Sequence, residues 1–282
     1  MATTAFSNMF QEKDIAKRYE LAEKVTGLFA RPLINQSGIS SYQERPVVFD
    51  NACGTGVISS VLHHTLSDQV RKGWKLTCGD FSQAMVDYTQ QRAINEGWHN
   101  AEVKVVNALE THLPSAYYTH VYAAFAIPLI PDDAMKECFR ILQPGGILAT
   151  TSFKKAAQLA IIISSLEPLS KDLPLPDIEE FENNISKGWN SETHVQSVFE
   201  QTGFTDIQVT AVTDHISVPI LPFVDMTKSL VPAILSPYWT REQLDQHGSR
   251  IPEVMQQWLE QKFADGLVPL EPTVLVATAK KP

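Results

Sequence analysis

One stretch constrains this chain more than any other. Val47-Val48-Phe49-Asp50 is a short apolar run closed by a carboxylate, and Asn51-Ala52-Cys53-Gly54-Thr55-Gly56 follows at once. Apolar residues at Val57, Val61, Leu62 and Leu66 then recur at helical spacing. A buried strand feeding a tight turn into a helix is the building unit of doubly wound α/β sheets, and its turn is where they hold a nucleotide. Gly54 and Gly56 let the backbone turn sharply and let a ligand come close.

Charge narrows the ligand. A dinucleotide loop cradles a pyrophosphate on a helix N-terminus, and a carboxylate at the strand end would repel that anion. Gly56 is followed by Val57, Ile58 and Ser59, so the third glycine of the dinucleotide pattern is missing as well. Both observations disfavour an NAD-linked oxidoreductase. S-Adenosylmethionine has no phosphate and carries an ammonium and a sulfonium, which suit an acidic strand end such as Asp50. Taken alone, a Gly-x-Gly after a strand also fits a tight turn with no ligand.

The following segments keep the register. Trp74-Lys75-Leu76-Thr77-Cys78-Gly79-Asp80 reads as a second strand ending in an acid, 24 residues beyond Gly56, near the distance of about 20 at which a ribose-binding carboxylate falls. An ordinary acid at a helix start is the competing account of Asp80. Ser82 is placed to cap the next helix, whose apolar positions include Met85, Val86 and Ile94. A third strand, Val103 to Asn107, ends in an amide that can reach an adenine edge while Leu109 packs on the ring. A fourth, His120 to Phe125, runs into Pro128 and Pro131. Asp132-Asp133 then opens a helix through Leu142, and Gln143-Pro144-Gly145-Gly146 stops it before a fifth strand, Ile147 to Phe153. Alternation at this spacing gives a mostly parallel sheet with helices on both faces.

These motifs resemble the class I S-adenosylmethionine-dependent methyltransferases. The resemblance rests on Asp50-x-Ala-Cys-Gly-Thr-Gly56, Leu76-Thr-Cys-Gly-Asp80, Asn107-Ala-Leu109 and Phe139-Arg-Ile-Leu-Gln-Pro-Gly-Gly146. Ala52 stands where many members have glycine, and Asn107 where many have Asp. Alanine favours negative φ, so a locally reshaped loop is expected at Ala52. A closer resemblance, to fungal bis-thiomethyltransferases of the gliotoxin type, is carried by Asn8-Met9-Phe10-Gln11, Arg18-Tyr19, Glu23 to Leu28, Trp98, Asn100-Ala101, Tyr118 to Tyr122 and Tyr238 to Gln243. It implies S-methylation of a small dithiol such as a reduced epidithiodiketopiperazine. Ile127-Pro128-Leu129 differs from that pattern. N- or O-methylation of another secondary metabolite, and a non-catalytic cofactor-binding regulator, are the alternatives.

The residues expected to hold the cofactor are Asp50, Asn51, Ala52, Cys53, Gly54, Gly56, Asp80, Phe81, Ser82, Met85, Asn107, Ala108, Leu109 and Phe125. Those expected to line the substrate pocket are Phe10, Tyr19, Phe125, Phe153 and Trp189. Phe10 and Tyr19 can offer aromatic faces to a sulfonium or serve only as core. Trp189 suits an anchoring role as well as a pocket wall. No catalytic base is named: a thiol of pKa ~8.5 is already a few per cent ionised near neutrality.

The rest of the chain frames this core. Residues 1–45 carry helical patterning (Ile15, Tyr19, Ala22, Val25, Leu28, Phe29), with a weak point at Gly27, and read as an N-terminal cap. Residues 46–282 form the methyltransferase domain, with insertions at 154–190 and 216–268. Phe204 to Val212 is the sixth strand and Val274 to Thr278 the last, giving a Rossmann-like, doubly wound, seven-stranded sheet. The second insertion, with a capping box at Thr240 and Gln243 and a staple of Trp239 on Leu244, is a candidate lid or a dimerisation surface.

Composition sets the partners. The chain has 282 residues, 44% of them hydrophobic, and a formal net charge of −9, with no basic cluster long enough to track a phosphate backbone. A small molecule is therefore the expected substrate, and no nucleic acid. No apolar run approaches the length of a membrane span, and no secretory leader is evident, so a cytoplasmic monomer or homodimer is expected. Cys53, Cys78 and Cys138 lack paired spacing and read as reduced, buried thiols. His63-His64 reads as helix surface, and no metal is expected.

Overall fold

The computed structural model describes residues 10, 15–42, 44–169, 173–228 and 230–282. Asn8, Met9 and Gln11, and the side chain of Arg18, lie outside the described residues. Helices α1 (Ile15–Thr26) and α2 (Ala30–Gln36) are separated by a 3-10 turn that begins at Gly27. The core then runs β1 (Val47–Asn51), α3 (Val57–Thr65), α4 (Asp68–Gly73), β2 (Lys75–Asp80), α5 (Gln83–Glu96), β3 (Ala101–Val105), β4 (Tyr118–Ala124), α6 (Ala134–Ile141) and β5 (Leu142–Lys155). Next come α7 (Ala157–Ser165), α8 (Ile178–Ser186), α9 (Glu192–Thr202), β6 (Thr205–Thr213), β7 (Ile216–Pro219), α10 (Ile220–Thr227), α11 (Leu230–Leu235), α12 (Arg241–His247), α13 (Ile251–Lys262), β8 (Leu267–Leu270) and β9 (Thr273–Lys280).

Seven strands form one sheet in the order β3-β2-β1-β4-β5-β9-β6. The chain steps outward from β1 on one side and returns to start β4 on the other. That reversal opens a crevice at the carboxyl end of β1, where doubly wound sheets bind ligands. Only β9 runs against its neighbours, pairing antiparallel with both β5 and β6. The register of β1 on β2 places Asp50 beside Cys78 and Asn51 beside Gly79, so Asp50 and Asp80 close neighbouring strands at the same edge.

Alternation along β1 divides the core. Phe49 packs on one face with Val121, Leu148, Met135 and Phe199; Val48 packs on the other with Leu33, Leu62, Leu76 and Tyr122. Full burial of each such side chain is worth about 1.5–3 kcal/mol. The two insertions build a further core of their own, in which Ile162, Phe223, Ile234, Trp239, Met255 and Val268 pack together with Val25 of α1. Trp239 joins the insertions directly, its indole N–H donating to the Pro174 carbonyl at 2.7 Å.

Several local expectations agree with the structure. Ser82 accepts from Met85 N–H as the cap of α5, and Thr240 and Gln243 make both bonds of a capping box. Others are corrected. β5 begins at Leu142, taking Pro144-Gly145-Gly146 into the strand. Ile94 is 73% exposed and so is not on the buried face of α5. His63 is buried against Trp74 and Trp98 and accepts from Arg71 Nη1 at 3.1 Å, so only His64 of that pair is surface. The two-stranded antiparallel pair of β7 with β8, which closes the second insertion at its base, was not foreseen. Among the described residues no helix is long and apolar enough to cross a membrane.

Candidate functional site

The end of β1 delivers Asp50 into the crevice, 1% exposed. Its Oδ2 accepts the Ser59 hydroxyl at 2.6 Å and the Ser59 backbone N–H at 3.2 Å, both from the first turn of α3. Burial outweighs these bonds and pushes the carboxyl up to about 7. Asp80, at the end of β2, is also buried, and its pKa is raised by that burial. Asp80 Oδ2 accepts Gly54 N–H and Oδ1 accepts Ser82 N–H, each at 2.9 Å. Each oxygen has two lone pairs, so a ligand hydroxyl can still be taken up there.

The loop between the two acids is wound left-handed. Gly54 and Gly56 have φ of 54° and 77°, and a Cβ on Gly56 would come within 2.8 Å of Thr89 Cγ2. Ala52 also has positive φ, 53°. This corrects the expectation of a reshaped loop: the turn is kept, and alanine takes the strained conformation that glycine would adopt freely.

The loop lines a cleft of about 90 Å³ that brings together Asp50, Ala52, Cys53, Gly54, Asp80, Phe81, Met85 and Phe125 with Phe10 and Tyr19. Six other residues expected at the cofactor do not line it. Gly56 starts α3, and Ser82 caps α5. Asn51 is buried; its Nδ2 donates to Cys138 Sγ at 3.6 Å, while its Oδ1 has no hydrogen-bond partner among the described residues. Asn107 turns its Oδ1 onto the Leu109 N–H at 3.0 Å, a local turn contact. Ala108 is buried in the core beneath the sheet, and Leu109 is 43% exposed. Cys53, Cys78 and Cys138 are free thiols, all buried.

A larger chamber of about 230 Å³ adjoins the cleft. Phe10, Tyr19, Thr26, Phe125 and Leu129 line both. Tyr19 packs edge-on to Phe10 at 5.9 Å, and its phenol is pushed up to about 12 by burial, then by the charges of Asp80 and Glu23. Phe125 stands at the junction, 4.7 Å from the Phe153 ring, and it too has positive φ, 57°. A bulky aromatic residue there is a genuine strain outlier, and such outliers cluster at ligand sites. The remaining walls come from α1, the end of β5, α7, α8 and the second insertion, and most of the wall residues are apolar.

Trp189 takes the anchoring role of the two expected for it. It is 1% exposed, meets His194 edge-on and Phe199 at a tilt, and donates its indole N–H to Asp132 Oδ1 at 2.9 Å. It does not line the chamber; it anchors the first insertion to the start of α6.

Sequence reasoning missed the group that ties α1 to the loop. Glu23 Oε2 accepts the Thr55 hydroxyl at 2.6 Å, and Glu23 Oε1 pairs with Arg92 Nη1 at 2.8 Å. Arg92 also donates to the Thr55 carbonyl and to Glu96, which in turn accepts from Ser60 and Trp98. The acid, loop and guanidinium lie on three separated segments, and only the presence of Glu23 and Trp98 in the resemblance motifs pointed to them. Among the described residues no group of three or more His, Cys, Asp or Glu side chains could hold a metal ion.

Residues 48–146 match the methyltransferase domain family. Methyltransferase tpcH of Aspergillus fumigatus is 44% identical over 97% of this chain and 99% of its own. The acetylaranotin bis-thiomethyltransferase of Aspergillus terreus is 42% identical over 100% of both chains. Among solved structures, the YcgJ protein of Bacillus subtilis shares the fold with a TM-score of 0.55 at 14% identity, covering 89% of this chain and 98% of that one.

Proposed function

The chain belongs to the S-adenosylmethionine-dependent methyltransferases, and on that premise we propose that it methylates thiol sulfur on a small, largely apolar secondary metabolite, a dithiol such as a reduced epidithiodiketopiperazine. The observation that carries this reading is the apolar chamber opening onto an acidic cleft across Tyr19, Phe125 and Leu129. The full-length relative named as a bis-thiomethyltransferase supports the choice of sulfur.

The cleft fits the cofactor. Asp50 is a desolvated carboxyl engaged by Ser59 alone among the hydrogen bonds of the described residues, an arrangement that suits a cation and disfavours a phosphate. Asp50 and the Gly54 backbone would hold the amino-acid end, Asp80 the ribose, and Phe81 and Met85 the base. When bound, S-adenosylmethionine supplies an activated methyl group on a sulfonium. Asp50 and the aromatic faces of Phe10 and Tyr19 favour positive charge in the cleft. Phe125, Phe153 and Leu159 keep water from the sulfur and hold the ring system against the junction. A thiol of pKa ~8.5 needs little help to ionise, so no side chain is assigned as its base.

Phe10 and α1 act in this reading as a cap over the cleft, and the insertions at 154–190 and 216–268 contribute the chamber and its lid. Methyl transfer from labelled cofactor to matched thiols, amines and phenols tests the proposal; a thiol acceptor is expected.

A further inference from the structure

The chamber is mostly apolar, and the charges on its wall do not cancel. Its polar lining is uncharged at Tyr19, Thr26, Ser152, Gln158, Ser186 and Asn190; the Tyr19 phenol, pushed up to about 12, stays neutral. Among the described residues two charged side chains line it, Lys154 and Glu182. Lys154 is already paired, its ammonium donating to Glu192 Oε1. Glu182, on α8, is half-buried and has no ion pair among the described residues. One of its oxygens takes the Ala156 N–H at 3.2 Å. The other has no partner there, and unlike Gln158 Oε1 it is not sealed from the surface. Lys155 acts on Glu182 only from a distance and does not line the chamber. Burial pushes the Glu182 carboxyl up, the mark of a charge its surroundings do not fully compensate.

The uncompensated charge of the wall is therefore negative. The cleft across the junction adds two more acids, Asp50 and Asp80, and no Lys or Arg among the described residues. An acceptor with a carboxylate would have to desolvate that anion near Glu182, with no free cation in the wall to receive it. A neutral acceptor meets no such cost, and the uncharged polar groups can still serve its hydrogen bonds. We infer that the chamber selects methyl acceptors by charge, taking thiols that are neutral at the end away from the sulfur and turning away acidic ones, and that Glu182 sets this choice. The inference rests on the chamber being the acceptor site, as proposed above, and narrows the acceptor to thiols without an acid group. Glu182 acts as a specificity residue, with no part in the methyl transfer itself.

Dihydrolipoamide and dihydrolipoate test this, because the two dithiols differ only in a terminal carboxamide or carboxylate. Each is titrated calorimetrically into protein loaded with S-adenosylhomocysteine, under reductant and at a pH well above the carboxylate range. The amide is expected to bind about tenfold more tightly or better. Glu182→Gln keeps an acceptor for the Ala156 N–H and removes the charge. It should cut the ratio about fivefold, the scale of repulsion between partly solvated charges, by tightening the acid and not by weakening the amide. Glu182→Lys should cut it further. A gain in affinity for one ligand cannot come from a damaged fold. The inference is overturned if acid and amide bind alike, if the ratio survives Glu182→Gln or falls only because the amide weakens, or if neither compound binds. No methyl donor is present in these titrations. A failure to methylate any thiol would therefore sink the proposed reaction and leave the calorimetric result standing.

Discussion

Asp50 and Ala52 are each held in the cleft at a cost to the fold. Asp50 is a buried carboxyl raised to about 7 from 3.8. The folded protein therefore holds a proton there that the unfolded chain gives up, so this group favours folding below pH 3.8 and that contribution is lost as pH rises through about 7. Thermal melts of the cofactor-free protein should show this decline between those limits, and Asp50→Asn should remove it. Cofactor binding should run the other way: affinity rises toward pH 7 as the carboxyl ionises, then levels off, and Asp50→Asn flattens the profile. Ala52, at φ 53°, predicts the opposite sign of mutational effect. Ala52→Gly should stabilise the fold by about 1 kcal/mol, raising Tm by about 2 °C, with the cofactor site intact. A lower Tm would mean the turn is not strained. Asp50 and Asp80 were legible because an acid closing an apolar run is a local pattern. The conformation of Ala52 was not, since propensity argued for negative φ and the surrounding turn overrode it.

At the scale of elements, α1 is bound to the cofactor loop by polar contacts. Glu23 joins the Thr55 hydroxyl and Arg92 across α1, the loop and α5, with side chains 17% and 20% exposed in the Glu23–Arg92 pair. Glu23→Gln should cost about 2 kcal/mol in urea unfolding, the range for hydrogen bonds to charged groups. It should also speed amide exchange in α1 before the sheet exchanges, and weaken cofactor binding several-fold. Unchanged exchange in α1 would show that apolar contacts alone hold the helix. The strands of the core were readable because short segments rich in apolar and β-branched residues are bounded by turn residues. The β7–β8 pair was not: its strands are four residues each, contain Pro219 and Pro269, and lie far apart in sequence. Trp189 shows the same limit for sites, because a tryptophan between a glycine and an asparagine signals burial without saying what it is buried against.

The whole molecule places two cavities end to end. The sheet order fixes the cleft at the switch between β1 and β4, and the sequence announced that much. The chamber is assembled from the N-terminal segment, the end of β5 and both insertions, segments whose mutual packing no local pattern records; Leu129, which lines both cavities, therefore could not be picked out in advance. In the proposed arrangement Asp50 and Asp80 would favour the cofactor's positive charge, and the aromatic junction would decide what can approach it. The central claim, sulfur as the acceptor atom, is tested most directly by incubating purified protein with methyl-labelled S-adenosylmethionine and a reduced cyclic dithiol, in competition with its hydroxyl and amino counterparts, and locating the label by mass spectrometry. The account predicts label on both sulfurs, with the oxygen and nitrogen analogues methylated far more slowly. Label on oxygen or nitrogen alone, or none on any thiol, would contradict it.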